Sequence, residues 1–60
     1  MTLEQFLTVI AGELVEVVVN RAVVYDADKN AIRAYKKELL DREVYRVEPT
    51  GLTHFTVYLH

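Results

Sequence analysis

Residues 26–30 contain acidic and amide side chains whose spacing, more than any other in the chain, resembles that of a known metal-binding motif. Asp26, Asp28 and Asn30 match the first three ligand positions of an EF-hand calcium loop. That loop needs glycine at its sixth position and a bidentate glutamate at its twelfth, where this chain has Ala31 and Lys37. Because a cation at a ligand position opposes calcium binding, we interpret the segment as a turn. We expect no metal and no cofactor.

The chain also lacks the residues that nucleophilic catalysis requires. Such catalysis needs a serine, cysteine or activated threonine beside a base, and the chain contains no serine and no cysteine. His54 and His60 would lie about 20 Å apart along a strand that rises about 3.3 Å per residue, too far to share one ion. Pairs of carboxylates occur, but a chain of 60 residues has little volume for a catalytic cleft. We therefore expect that the protein is not an enzyme.

Two groups of side chains have the composition of contact surfaces. The basic group could contact phosphate or an acidic protein, although a solvated helix face is its plainer interpretation. It consists of Arg33, Tyr35, Lys36 and Lys37, with Lys29 just before them. The acidic group is the other candidate surface for contact with a host protein. It consists of Glu13, Glu16, Asp26 and Asp28.

Length and composition limit the architecture to a single compact domain over residues 1–60. A domain this small buries only about 60% of its unfolded surface, so it depends on tight packing or on a partner. The chain is 52% hydrophobic with a net charge of −2, which disfavours general nucleic-acid binding. Its longest apolar stretch is too short and too interrupted to span a membrane, and we expect a cytoplasmic protein.

The first two elements differ sharply in composition. Thr2 and Gln5 form a capping-box pattern, and helical spacing of apolar residues predicts a helix over residues 2–10 that stops near Gly12. Residues 13–26 are rich in valine and predict strand. Asn20 and Arg21 either form a tight hairpin turn or mark a bend in one long strand, and the pattern does not separate these alternatives.

The middle of the chain also has two interpretations. Periodicity favours a helix over residues 29–41, with Asp28 as its N-cap. Alternatively, residues 31–35 form the return strand of a hairpin, followed by one helical turn over residues 36–41.

The C-terminal third predicts an antiparallel hairpin. Residues 43–48 form one strand, residues 48–51 a turn around Pro49, and residues 52–59 the return strand. Alternation in the return strand separates two faces. One carries Phe55, Val57 and Leu59, and the other carries His54, Thr56, Tyr58 and His60. The predicted fold is α+β: a small antiparallel sheet of three to four strands, with one or two short helices packed on one face.

Residues 1–10, 24–30 and 40–50 resemble a loose family of small proteins from phages and mobile elements of gut-dwelling Firmicutes. The resemblance favours the return strand at residues 31–35, and no functional residues carry over from it. It implies a phage context, in which compact proteins without an active site are often inhibitors of host defence, anti-CRISPR proteins among them.

Our leading hypothesis is therefore a phage-type inhibitor that binds a host protein, conceivably a CRISPR effector nuclease, in a bacterial cytoplasm. The alternative is a self-associating structural or regulatory module, for instance a homodimer joined through sheet edges or the apolar side of the first helix. A third, weaker hypothesis is contact between the basic group and RNA or DNA.

Overall fold

The computed structural model of the chain describes residues 1–11 and 14–60. These residues form two helices, four strands and one short 3-10 helix. In chain order they are α1 (Leu3–Val9), β1 (Leu14–Val19), β2 (Ala22–Asp28), α2 (Lys29–Tyr35), the 3-10 helix (Lys37–Leu39), β3 (Val44–Gly51) and β4 (His54–Leu59). The α+β class is confirmed.

The four strands form one sheet in the order β2-β1-β4-β3. Each outer pair is an antiparallel hairpin, but the central strands β1 and β4 run parallel. The sheet is therefore mixed, whereas the sequence predicted an antiparallel one. This arrangement places the most apolar strand of each hairpin at the centre, where Val15, Val17 and Val57 are fully buried.

Helix α1 has the predicted cap. The Thr2 hydroxyl accepts from the Gln5 backbone amide at 3.2 Å, and the Gln5 side chain accepts from the Thr2 amide at 2.8 Å. The helix is slightly shorter than predicted and buries Leu3, Phe6 and Leu7. The predicted stop at Gly12 lies outside the described residues.

Residues 14–28 form a hairpin rather than one bent strand. Its turn residues, Asn20 and Arg21, have φ of 53° and 66°. Positive φ at both central positions is characteristic of a type I′ turn, whose twist matches that of the two strands. An arginine in this left-handed region costs about 1 kcal/mol, which a glycine would avoid.

The predicted turn at residues 26–30 is wrong in its first half, because Asp26 and Asp28 belong to β2. Strand leads directly into helix at this point: the Asp28 carboxylate accepts from the Ala31 amide at 2.8 Å and caps α2. The predicted N-cap and helical start are thus confirmed, and the return strand at residues 31–35 is wrong. Helix α2 ends at Tyr35, well before residue 41, because Lys36 leaves helical geometry with φ −129° and ψ 45°.

The turn of the second hairpin lies later than predicted. β3 continues through Pro49 to Gly51, and the turn is formed by Leu52 and Thr53. Proline is tolerated here because β3 is an edge strand, and the register shifts between Pro49 and Gly51.

Both helices pack on one face of the sheet. The alternation predicted for residues 54–59 is confirmed there, since Val57 and Leu59 are buried and Phe55 packs beside them. No helix among residues 1–11 and 14–60 is long and apolar enough to cross a membrane.

Candidate binding face

The side of the sheet opposite the helices carries a band of polar side chains, which we call the open face. No described helix covers it. Its central residues come from all four strands: Asp26 on β2; Glu16 on β1; His54, Thr56 and Tyr58 on β4; Arg46 and Glu48 on β3.

Three carboxylates lie in one row across the open face. The strand register places Glu16 opposite Asp26 on one side and opposite Thr56 on the other, and Thr56 is opposite Glu48. Neighbouring strands lie about 4.8 Å apart, so the row crosses the full width of the sheet. We call Asp26, Glu16, Thr56 and Glu48 the carboxylate row.

A neighbouring side chain holds each carboxylate in place. The His54 ring nitrogen Nε2 lies 3.1 Å from Asp26 Oδ1. The Thr56 hydroxyl donates to Glu16 Oε1 at 3.1 Å. These contacts restrict the rotation of both acids, and Thr56, the hydroxyl donor, is itself buried.

Glu48 is held from two sides. The Tyr58 hydroxyl donates to its Oε1 at 2.5 Å, and the Arg46 guanidinium donates to its Oε2 at 2.7 Å. The tyrosine hydrogen bond lowers the pKa of Glu48; partial desolvation opposes this shift and Arg46 supports it. The same hydrogen bond raises the pKa of Tyr58. At neutral pH Glu48 is therefore a carboxylate and Tyr58 a neutral donor.

The carboxylate row has the chemistry of a binding surface. Its oxygens accept hydrogen bonds and attract cations, and Glu48, with its lowered pKa, is poorly suited to act as a general acid. Within residues 1–11 and 14–60, no group of three His, Cys, Asp or Glu side chains is arranged to hold a metal ion.

The structure brings part of the acidic group together. Glu16 and Asp26 are direct neighbours in the row. Asp28 instead uses its carboxylate to cap α2, and Glu13 lies outside the described residues.

Two cations of the basic group make contacts within the fold. Arg33 reaches α1, where its Nη2 lies 3.3 Å from both Glu4 Oε1 and Thr8 Oγ1. The Lys36 ammonium lies 5.3 Å from the centre of the Tyr25 ring. These cations serve contacts within the fold.

The remaining members of the basic group, Tyr35 and Lys37, are exposed. Tyr35 is 73% exposed at the end of α2, and Lys37 is exposed in the 3-10 helix. Lys29, just before them in sequence, donates to the Ile10 carbonyl at 2.9 Å. The structure thus offers less support for phosphate contact here than the sequence pattern did.

Sequence reasoning missed Glu48, His54 and Tyr58 as site residues. The alternation of β4 placed His54, Thr56 and Tyr58 on one face, but it could not show which strand lay beside them. Their partner Glu16 is 40 positions from Thr56, and that pairing depends on the parallel contact between β1 and β4.

Comparison of the chain with protein-family models, with curated proteins and with solved structures found no match.

Proposed function

We propose that this protein is a non-catalytic binding module whose open face docks on a positively charged surface of another protein. The carboxylate row carries the proposal: three acids lie in one row across an uncovered sheet face, and each is fixed by a neighbour. The central residues of the open face include three acids against one arginine and one histidine, so the face is net negative and suits a basic partner.

Fixed acceptors favour tight binding. A side chain that is already held by a hydrogen bond loses little conformational freedom when a partner docks, so less of the interaction energy is spent on ordering. Complementary charge also speeds the encounter and selects the partner. The strands supply a rigid base, because Val15, Val17 and Val57 pack directly beneath the row.

The finer form of the proposal is inhibition of a host protein by occupation of its working surface. Proteins that handle nucleic acids present basic surfaces, so a CRISPR effector nuclease in a bacterial cytoplasm is a candidate target. The phage context expected from the sequence of residues 1–10, 24–30 and 40–50 motivates this choice of target. The mechanism needs no catalytic group.

The decisive experiment is capture from a host lysate with two matched double variants. Glu16→Gln with Asp26→Asn removes two charges from the carboxylate row while keeping side-chain shape. Glu38→Gln with Asp41→Asn removes two exposed charges elsewhere and serves as the control. We expect the row variant to bind a captured protein at least about tenfold more weakly and the control to bind normally.

One outcome of the capture experiment would contradict the proposal. Equal binding by both double variants, with unchanged melting temperatures, would exclude the open face as the docking surface. Binding that weakens with salt for the wild type but not for the row variant would add support, because screening acts on the charges that the variant lacks.

Self-association is the second candidate, and the two sheet edges favour it. β2 and β3 have no described strand beyond them, and Val23 on β2 is 58% exposed. The apolar side of α1 offers no second route, since Leu3 and Leu7 are fully buried in the protein's own core. Light scattering separates the candidates: a stable oligomer that captures no host protein would favour self-association.

A further inference from the structure

A cleft lies at the end of the sheet where the β1–β2 turn approaches the end of β4. It is widely open to solvent, and its volume is about 750 Å³. Val19 and Leu59 line its apolar part, and Leu59 is only 2% exposed. The cleft is separate from the carboxylate row.

Two guanidinium groups line the cleft. Arg42 donates from Nε to the main-chain oxygen of His60 at 2.7 Å, which orients the group and leaves its terminal nitrogens available. Neither Arg42 nor Arg21 forms a salt bridge with an Asp or Glu side chain of residues 1–11 and 14–60. The cleft thus carries two guanidinium groups that no acidic side chain of the described residues pairs with, in a protein of net charge −2.

Arg21 occupies a backbone position that disfavours it. The second central residue of a type I′ turn is most often glycine, yet Arg21 stands there with φ of 66°. Residues in such conformations concentrate at functional sites, where the side chain gives a benefit that offsets the strain. The guanidinium at the edge of the cleft is the feature that a glycine would lack.

Aromatic rings form one side of the cleft. The Tyr45 and His60 ring centres lie 4.5 Å apart with a 37° angle between the planes. Tyr45 is 55% exposed, so part of its ring surface is accessible. A planar ring can stack on such a surface.

We propose that the cleft binds a nucleoside monophosphate or a closely similar phosphorylated aromatic molecule. Arg21 and Arg42 hold the phosphate through charge-assisted hydrogen bonds. A single guanidinium group can donate two parallel hydrogen bonds to one phosphate. The base stacks against the exposed part of the Tyr45 ring. Each half of the ligand thus meets a matching part of the cleft.

The test is an NMR titration of the whole chain with AMP, adenosine and inorganic phosphate. We expect AMP to shift the amide signals of Asn20, Arg21 and Tyr45, and to bind at least about tenfold more tightly than either fragment. Absence of shifts in the cleft at about 10 mM AMP would overturn the proposal. Equal affinity for AMP and inorganic phosphate would also overturn it, since the aromatic contact would then contribute nothing.

Two variants make the test independent of folding. Arg21→Gly suits the turn better, so we expect an equal or higher melting temperature together with AMP affinity reduced about tenfold or more. Arg42→Gln should weaken AMP in the same way, while Lys37→Gln, which removes an equal charge outside the cleft, should not. Unchanged AMP affinity in Arg21→Gly and Arg42→Gln would contradict the assignment. Loss of host-protein capture would leave these results unaffected, so the two proposals fail separately.

Discussion

At the scale of single residues, the contact between Glu48 and Tyr58 is the best defined on the open face. The tyrosine hydroxyl prefers an ionised carboxylate as acceptor, and the carboxylate prefers a protonated hydroxyl as donor. Their pKa values therefore move apart, downward for Glu48 and upward for Tyr58. The contact links the two strands of the second hairpin at the outer edge of the sheet.

This contact predicts a characteristic pH dependence for the variant Tyr58→Phe. The stabilisation from Glu48 is present above its unfolded-state pKa and is lost as pH falls through the lowered folded-state pKa. The stabilisation from Tyr58 is present below its unfolded-state pKa and is lost as pH rises through the raised folded-state pKa. Wild type should therefore exceed Tyr58→Phe in stability most between about pH 5 and pH 9.

Urea denaturation at a series of pH values would measure that difference. An NMR titration of the Glu48 carboxyl should in addition give a pKa below the ordinary value of 4.5 in the wild type and a higher one in Tyr58→Phe. A stability difference that stays constant from acid to alkaline pH would show that the hydroxyl contributes nothing through Glu48.

At the scale of elements, both helices are short and depend on their caps and their buried residues. Seven residues are too few for a helix to be stable alone in water. α1 has a reciprocal capping box and three buried side chains, whereas α2 has one capping carboxylate and buries Ile32 alone. α2 should therefore be the more sensitive of the two to the loss of its cap.

The variant Asp28→Ala tests this dependence. Loss of the hydrogen bond to the Ala31 amide should lower the free energy of unfolding by about 1 kcal/mol. Asp41→Ala is the matched control, because Asp41 is exposed and its substitution removes the same charge. Thermal or urea denaturation of both variants would measure the effect. Equal destabilisation by the two would mean that charge, rather than capping, is responsible.

At the scale of the whole molecule, stability depends on the central strand pair. β1 and β4 each have a neighbour on both sides, and they contribute most of the sheet residues in the core. Residues 20–53 separate the two strands in sequence, so β1 and β4 can pair only when this long segment brings them together. Such a contact between distant segments slows folding and makes it cooperative.

Hydrogen exchange should show this organisation directly. We expect the slowest-exchanging amides in β1 and β4, since their opening requires disruption of the whole core. Amides of β2 and β3 should exchange faster, because each has one open edge. Residue-resolved exchange in native buffer would measure the rates. Slower exchange in β2 than in β4 would contradict the central role of the parallel pair.

Local patterns predicted the elements well wherever short-range chemistry determines them. The capping box at Thr2, the cap at Asp28 and the alternation in β4 are all as expected. Errors arose where distant contacts decide. Periodicity extended α2 beyond Tyr35, and the turn signal at Pro49 did not show that this residue lies on an open edge, where a missing N–H is harmless.

The sequence by itself determined the α+β class, the first helix, the polar side of β4 and two of the three acids in the carboxylate row. Only the tertiary structure decided that β1 and β4 lie parallel, and therefore that Glu16 meets Thr56 and Asp26 meets His54. The physical reason is that helix caps and strand alternation depend on neighbours within a few residues. Strand order depends on how the apolar faces of distant elements pack together, and a pattern within a few residues does not indicate that packing.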